Sequence, residues 1–320
     1  WLERAYKGGA GDTVVRYVLS HDNVQVRVDF LKTLGQLDEW QAEVVIRMLE
    51  SGHYQVRLAA VTVLEQWGEH CVPYLIEALS DPYPQVRVAA IAALERLRPD
   101  GMWREHLVYE CYVPAGPFIM GDDNSDRDNE KPAHEVTLDA FYIGKYPVTN
   151  AEYERYRDDV GEPFDMPLGK EQHPVARLSW SEARDYAAWA ELRLPTEAEW
   201  EKAASWDAGH KRQYPWGDVF DPDKCNTKES GIGDTTPVGQ YSPQGDSPYG
   251  CVDMAGNVWE WTSTRWGNDW SEPDFKYPYR ADDGRETPTT KELHVMRGGA
   301  YWNDQSFVRC ACRYSYTIIR

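Results

Sequence analysis

Residues 235–262 read TTPVGQYSPQGDSPYGCVDMAGNVWEWT, and this stretch decides how the larger part of the chain is built. From Tyr214 to Asp253 the chain is rich in Gly, Pro, Asp and Ser. A regular sheet does not tolerate that density, because proline removes a ladder donor and glycine weakens an extended run. The segment therefore reads as a long ordered loop, and such loops need internal staples. Trp259 and Trp261 at its end are expected to pack as core beneath it.

The flanking segments carry signals for short elements. Ser179-Trp180-Ser181-Glu182 has the form of a capping box and predicts a helix through Trp189. Thr196 reads as the N-cap of a second helix, with Glu197 and Glu199 in its first turn. A helical pattern also runs from Ala151 to Tyr156. Val136 to Ile143 alternates as one strand, Tyr112 to Gly121 reads as strand and turn, and Asp122 to Glu130 is an acidic polar loop. Near the C-terminus, Val295 and Arg297, then Arg309, Ala311 and Arg313, alternate as a strand framework. Elements are few for the length, so residues 109–320 are expected to form an α+β domain with long loops.

Upstream the texture changes to a repeat. Val24-Gln25-Val26-Arg27, Tyr54-Gln55-Val56-Arg57 and Pro84-Gln85-Val86-Arg87 recur every 30 residues. The apolar positions keep that period: Leu31, Val61, Ile91; Leu34, Leu64, Leu94; Leu37, Trp67, Leu97; Val15, Val45, Leu75; Leu19, Leu49, Leu79. Spacings of three and four mark one face of a helix. Two helices per unit, stacked in register, predict an all-α solenoid of about three units over residues 1–100. The pattern resembles short HEAT-type repeats, which imply a docking surface for a protein partner and supply no chemistry. Arg27, Arg57 and Arg87 are expected to cap or pair within their own repeats. Arg98-Pro99-Asp100-Gly101 ends the array.

Composition removes several classes of function. Among 320 residues, 34 Lys and Arg face 53 Asp and Glu, a net charge of −19. Such a surface repels phosphate backbones and anionic membranes. No run of about 20 apolar residues is present, so no membrane insertion is expected. The 42% hydrophobic content is that of a folded protein. The aromatic balance is unusual, with 14 Trp and 20 Tyr against 7 Phe. Trp and Tyr carry a polar handle and suit half-buried sites. The six cysteines include no CxxC pair and are expected to be reduced thiols, with Cys310 and Cys312 on one face of a strand. The chain opens on Trp1 rather than methionine, which fits a longer native N-terminus, and the expected compartment is the cytoplasm.

Five motifs stand in order: EKPAHEVTLDAFYIGKYPVTNAEY (130–153), LPTEAEWEKAA (194–204), YPWGD (214–218), the stretch quoted above, and VMRGGAYWND (295–304). Together they resemble the formylglycine-generating enzyme family, also called sulfatase-modifying factors. The resemblance covers about residues 109–320 and implies a multidomain chain: HEAT-like repeats followed by a C-type-lectin-like domain. The family's closing strand is not seen before Arg320. The resemblance also implies a structural calcium held by Asp253, Gly256, Val258 and Glu260, and a second site using Asn226 and Thr227. Oxygen donors around a glycine-permitted bend suit a hard cation.

The catalytic positions depart from the family. Its oxidases use two cysteines to bind copper, and thiolates suit Cu(I). Ungapped alignment on Gly298-Gly299-Ala300 puts Asn303 and Val308 at those positions, so copper is not expected and catalysis is disfavoured. The related sulfoxide synthases need an iron-binding His cluster, whereas the eight histidines here are scattered. A third branch, the variable proteins of diversity-generating retroelements, uses the scaffold to display a diversified binding surface. By that likeness the surface here would comprise Tyr301, Trp302, Asn303, Asp304, Gln305, Ser306, Phe307, Tyr314 and Tyr316, joined by Trp266 and Trp270. Aromatic anchors beside small polar residues make an adaptable paratope. The expected function is non-catalytic binding of a protein ligand; the alternative is a copper-dependent oxidase acting on a peptide cysteine.

Overall fold

Helices of the first hundred residues keep the 30-residue beat. The computed structural model describes residues 18, 20–35 and 42–315, and it divides into two compact units, residues 1–108 and 109–320. In the first, α1 spans Val24–Leu34, α2 Ala42–Met48, α3 Tyr54–Trp67, α4 Val72–Glu77 and α5 Pro84–Leu97. Asn23 caps α1 by accepting from the Gln25 N–H. Pro84 opens α5, where its missing N–H would have had no helical partner anyway. Leu31, Leu34, Val45, Val61, Leu64, Leu75, Leu79, Ile91 and Leu94 are all buried, and α1 packs on α3 as α3 packs on α5. Val15, Leu19 and Leu37 lie outside the described residues.

Arg57 and Arg87 cap within their own repeats as expected, and Arg57 also reaches beyond its own. Arg57 donates to the Ser51 carbonyl six residues earlier, and Arg87 donates to that of Asp81 in the same way. Arg57 also forks onto the Asp81 carboxylate at 2.6 and 2.8 Å, which ties one repeat to the next rather than staying within its own. Asp81 further accepts the Tyr83 N–H, so one carboxylate closes a turn and joins two units.

In the second unit the strands form two-stranded antiparallel ladders. β1 (Glu110–Val113) pairs with β4 (Phe141–Gly144), and β2 (Gly116–Met120) with β3 (His134–Leu138). The single strand expected over Val136–Ile143 is thus two, broken at Asp139-Ala140. β5 (Trp206–Asp207) pairs with β6 (His210–Lys211), and β7 (Glu260–Gly267) with β8 (Leu293–Arg297). Three helices, α6 (Asn150–Asp159), α7 (Trp180–Trp189) and α8 (Glu197–Ser205), each open on a complete capping box. Each box satisfies two N-terminal donors that would otherwise be orphaned.

Every residue of α8 is buried, including its glutamates. Glu197 accepts a bidentate pair from Arg313 at 2.8 and 2.9 Å, and Arg297 lies 3.3 Å away. Glu201 receives Arg297 at 2.9 Å, Lys211 at 2.7 Å and the Gly121 N–H at 2.8 Å. Glu197, Glu201, Arg297 and Arg313 are 0% exposed. Arg309 forks onto buried Glu130 at 2.8 and 3.0 Å. Residues 309–313 are therefore a bend, a turn and irregular backbone, not the expected strand, because their arginines must reach separate carboxylates. Around this network pack Val113, Trp200, Ala203, Ala204 and Met254, and a second group of Phe118, Met120, Ala198 and Tyr277.

Burial alone would raise Glu201, but the Lys211 and Arg297 charges hold it at about 2. Its folded-state value lies below the ordinary carboxylate value, so its stabilisation is complete above about pH 4.5 and fades as pH falls toward 2. Urea midpoints measured across that range are expected to drop accordingly. Arg297→Met should lower stability by about 3–5 kcal/mol by stranding buried carboxylates, and adding Glu201→Met should restore part of it.

Candidate functional site

After β8 the chain turns through Gly298 and Gly299, whose φ values are +90° and +73°. A methyl on Gly299 would stand 2.6 Å from Val308 Cγ1, so this turn requires glycine. Asn303 Oδ1 accepts the Ala300 N–H at 3.0 Å, and the Asn303 N–H donates to the Ala300 carbonyl at 2.8 Å. Neighbouring segments then clamp the loop. Tyr301 N–H donates to Asn257 O, Lys228 N–H to Asn303 O, and Gln305 N–H to Glu229 Oε1. Asp304 closes a small turn by accepting from the backbone and hydroxyl of Ser306.

What this ordered loop presents is aromatic. Trp302 is 56% exposed, and Tyr301 meets its ring edge-on at 4.7 Å. Phe307 is half-buried between Trp259 and Tyr314, which stack on each other at 5.3 Å. The Arg127 guanidinium lies 4.0 Å over the Phe307 ring. Asp304, Gln305 and Ser306 are exposed, and Asn303 is half-buried. The structure thus brings Tyr301–Phe307 and Tyr314 to one region, while Tyr316 lies outside the described residues. Trp266 is a correction: it is buried, donates to Asp269 O and sits beneath Arg313. Trp259 and Trp261 are half-buried rather than core. Trp259 and Arg127 pack against this region and were missed by sequence reasoning; the arginine in the acidic 122–130 loop was the available signal.

The quoted loop wraps behind this surface. Asp253, Gly256 and Asn257 all have positive φ. Gly256 N–H donates to Gly298 O, and Asn257 N–H to Asn226 O. Asp253 accepts from the Gly239 N–H at 3.1 Å and Glu260 from Trp200 Nε1 at 2.9 Å, both neutral donors. Burial pushes Asp253 up to about 6 and Glu260 up to about 7, and the nearby Asp253 charge adds to the second shift. Two buried carboxyls without a cationic side chain among these partners suit a cation whose other ligands are carbonyls. The Asn226–Thr227 pair differs. Asn226 Oδ1 and the Thr227 carbonyl both face the Ser230 hydroxyl, at 3.1 and 2.7 Å, and the Asn226 amide donates to Asp234 O.

A model of the sulfatase-modifying factor enzyme 1-like domain matches residues 103–318, and one of HEAT repeats matches residues 42–102. The chain belongs to the sulfatase-modifying factor family. Hercynine oxygenase of Mycolicibacterium smegmatis is 36% identical over 231 residues, covering 59% of this chain and 53% of that protein. Formylglycine-generating enzyme of Mus musculus is 30% identical over 271 residues, covering 64% and 70%. The chain therefore spans about half the length of the first of these relatives. Among solved structures, PvdO from Pseudomonas aeruginosa gives a TM-score of 0.51 at 24% identity, over 65% of this chain and 88% of that one. Treponema denticola variable protein 1 gives 0.50 at 18%, over 65% and 89%. These two likenesses are of fold.

Within the sulfatase-modifying factor family, the positions of interest are Asn303 and Val308. Val308 is 0% exposed and packs with Tyr214, Cys225 and Ala255. Cys310 and Cys312 do not share a strand face. Cys310 donates toward Ala204 O, and the sulfur of Cys312 accepts from Arg127. Burial pushes both thiols up to about 12.

A methyl at Gly256 would stand 2.2 Å from the Asn226 carbonyl oxygen, on backbone at φ +83°. Gly256→Ala is therefore expected to cost about 1–3 kcal/mol in urea denaturation, through strain at a conformation that L-residues disfavour.

Proposed function

We propose that the sulfatase-modifying factor domain of this chain is a non-catalytic module that binds a protein ligand through Tyr301–Phe307 and Tyr314. The observation that carries this reading is the environment of Asn303 and Val308. One side chain closes a backbone turn and the other fills an apolar cluster, so neither offers the soft ligand that copper requires. The remaining nearby thiols are buried and held in their protonated form. The exposed Trp302, braced by Tyr301 on a loop clamped by two neighbouring segments, supplies a rigid aromatic anchor among adaptable polar groups. The repeats would act as a solenoid that docks a protein partner. Among the described residues no helix is long and apolar enough to cross a membrane.

Calcium would be held by the Asp253 and Glu260 carboxylates with the Gly256 and Val258 carbonyls. Its charge would neutralise two buried acids and staple the loop behind the binding surface. The Asn226–Thr227 pair, already bridged by Ser230, is left out of this proposal. Both carboxyls titrate above their ordinary values, so the metal-free chain should lose stability as pH rises from about 4.5 through about 7. Calcium should abolish that slope and raise the melting temperature, and Glu260→Gln should remove the response. A calcium concentration of 100 times Kd corresponds to about 2.7 kcal/mol; an unchanged melting curve would refute the site.

A second reading rests on the relatives named as oxygenase and formylglycine-generating enzyme: a copper-dependent oxidase acting on a peptide cysteine. Copper(I) titration with oxygen uptake on a cysteine-containing peptide separates the two. We expect no stoichiometric copper and no peptide-dependent uptake. Turnover that disappears in Cys310→Ser or Cys312→Ser would establish the oxidase instead.

A further inference from the structure

Beside the Trp302 loop lies a cavity of about 230 Å³ that no role assigned above uses. Its walls come from three segments, 122–124, 211–218 and 309–311. Each segment is joined to the Trp302 loop. Arg127, farther along the 122–130 loop, covers the Phe307 ring at 4.0 Å. The Tyr214 hydroxyl, next to Gln213, donates to Gln305 O at 3.4 Å, and Arg309 Nε donates to Ser306 O at 3.1 Å.

Three of the lining side chains are cations, yet each is neutralised by a carboxylate outside the lining. Lys211 meets Glu201 at 2.7 Å, Arg212 meets Asp207 at 2.6 Å, and Arg309 meets Glu130 at 2.8 Å. Two lining carboxylates are left over. Asp122 lies 3.5 Å from Arg309, which already forks onto Glu130. Asp218 accepts the Gln213 N–H at 3.1 Å and faces His210 at 3.1 Å, and no lysine or arginine pairs with it among the described residues. The exposed side chains of Asn124 and Gln213 add amide oxygens at the rim. A group with positive charge and several N–H donors fits this balance, whereas an anion would meet cations already paired.

We propose that this cavity receives a lysine or arginine side chain of the protein ligand, whose charge Asp122 and Asp218 balance. The inference rests on the reading of Tyr301–Phe307 as a binding surface and adds the chemistry of its partner: a basic residue beside the apolar contact made by Trp302. The net charge of −19 would draw such a partner toward the chain. Trp302 supplies apolar area to any ligand. The cavity discriminates, because a neutral side chain there would gain no charge partner and an acidic one would be repelled.

Titration of the full chain with acetyl-arginine methylamide, followed by nitrogen–proton NMR, tests this. The backbone amides of Asn124 and Gln213 should shift, acetyl-lysine methylamide should act in the same way, and about 0.5 M salt should weaken the response several-fold. Acetyl-citrulline methylamide, which has the shape of arginine without its charge, should leave both amides in place. Asp122→Asn combined with Asp218→Asn should abolish the shifts, since each asparagine keeps an oxygen for the Asn124 or Gln213 N–H but loses the charge. Asp218→Asn alone, at an exposed position, should weaken the response several-fold and serves if the pair fails to fold. Unmoved amides, equal shifts with citrulline, or shifts that persist in the asparagine variants would overturn the proposal. A response to spermidine without one to the capped amino acids would also overturn it, making the occupant a free polyamine. Trp302→Ala should leave the titration unchanged, so a negative titration counts against the cavity and leaves the Trp302 surface standing.

Discussion

Two glutamates one helical turn apart, wholly removed from water, hold the second unit together. Glu197 and Glu201 are presented by α8, a helix whose every residue is buried. Isolated carboxylates there would be prohibitively costly, so each must meet cations with good geometry. Those cations arrive from several parts of the chain: Lys211 on β6, Arg285 before β8, Arg297 at its end and Arg313 beyond it. A loop-rich domain with four two-stranded ladders has little continuous sheet to set its topology. Directional charge pairing does that here, and it does so for the segment that carries Tyr301–Phe307.

The consequence for function is rigidity in an irregular segment. Arg297 and Arg313 pin the chain on either side of residues 301–307, while Arg309 is anchored separately on Glu130. Between these anchors Asn303, Asp304 and Ser306 satisfy backbone groups locally, which leaves Trp302 and Tyr301 outward. Substitution at the exposed positions would leave these anchors in place, because they lie elsewhere. The quoted 235–262 loop supports it from behind through the Gly256–Gly298 and Asn257–Tyr301 bonds. That loop in turn carries the two buried carboxyls that a cation would neutralise.

Local signals were read well from sequence, and long-range charge pairing was not. The box at Ser179, the N-cap at Thr196 and the 30-residue beat depend on neighbours within one turn or one repeat, so pattern alone reveals them. Arg309, Ala311 and Arg313 alternate like a strand, yet their course is dictated by Glu130 and Glu197, more than a hundred residues upstream. Arg57 reached Asp81 for the same reason, a carboxylate placed by the next repeat's turn. Trp266 resembled a ligand-facing ring only because its position beneath Arg313 is set by tertiary structure. Composition marked tryptophan as informative but did not separate Trp302 from the buried rings.

Native-state hydrogen exchange over residues 295–315 of the intact chain tests the central claim most directly. If buried charge pairing holds this segment rigid, the amides of Met296, Cys310, Cys312 and Tyr314, each bonded to a backbone carbonyl, should exchange only through unfolding of the whole unit. They should then share the protection of α8. Fast exchange across this segment while α8 stays protected would contradict the account.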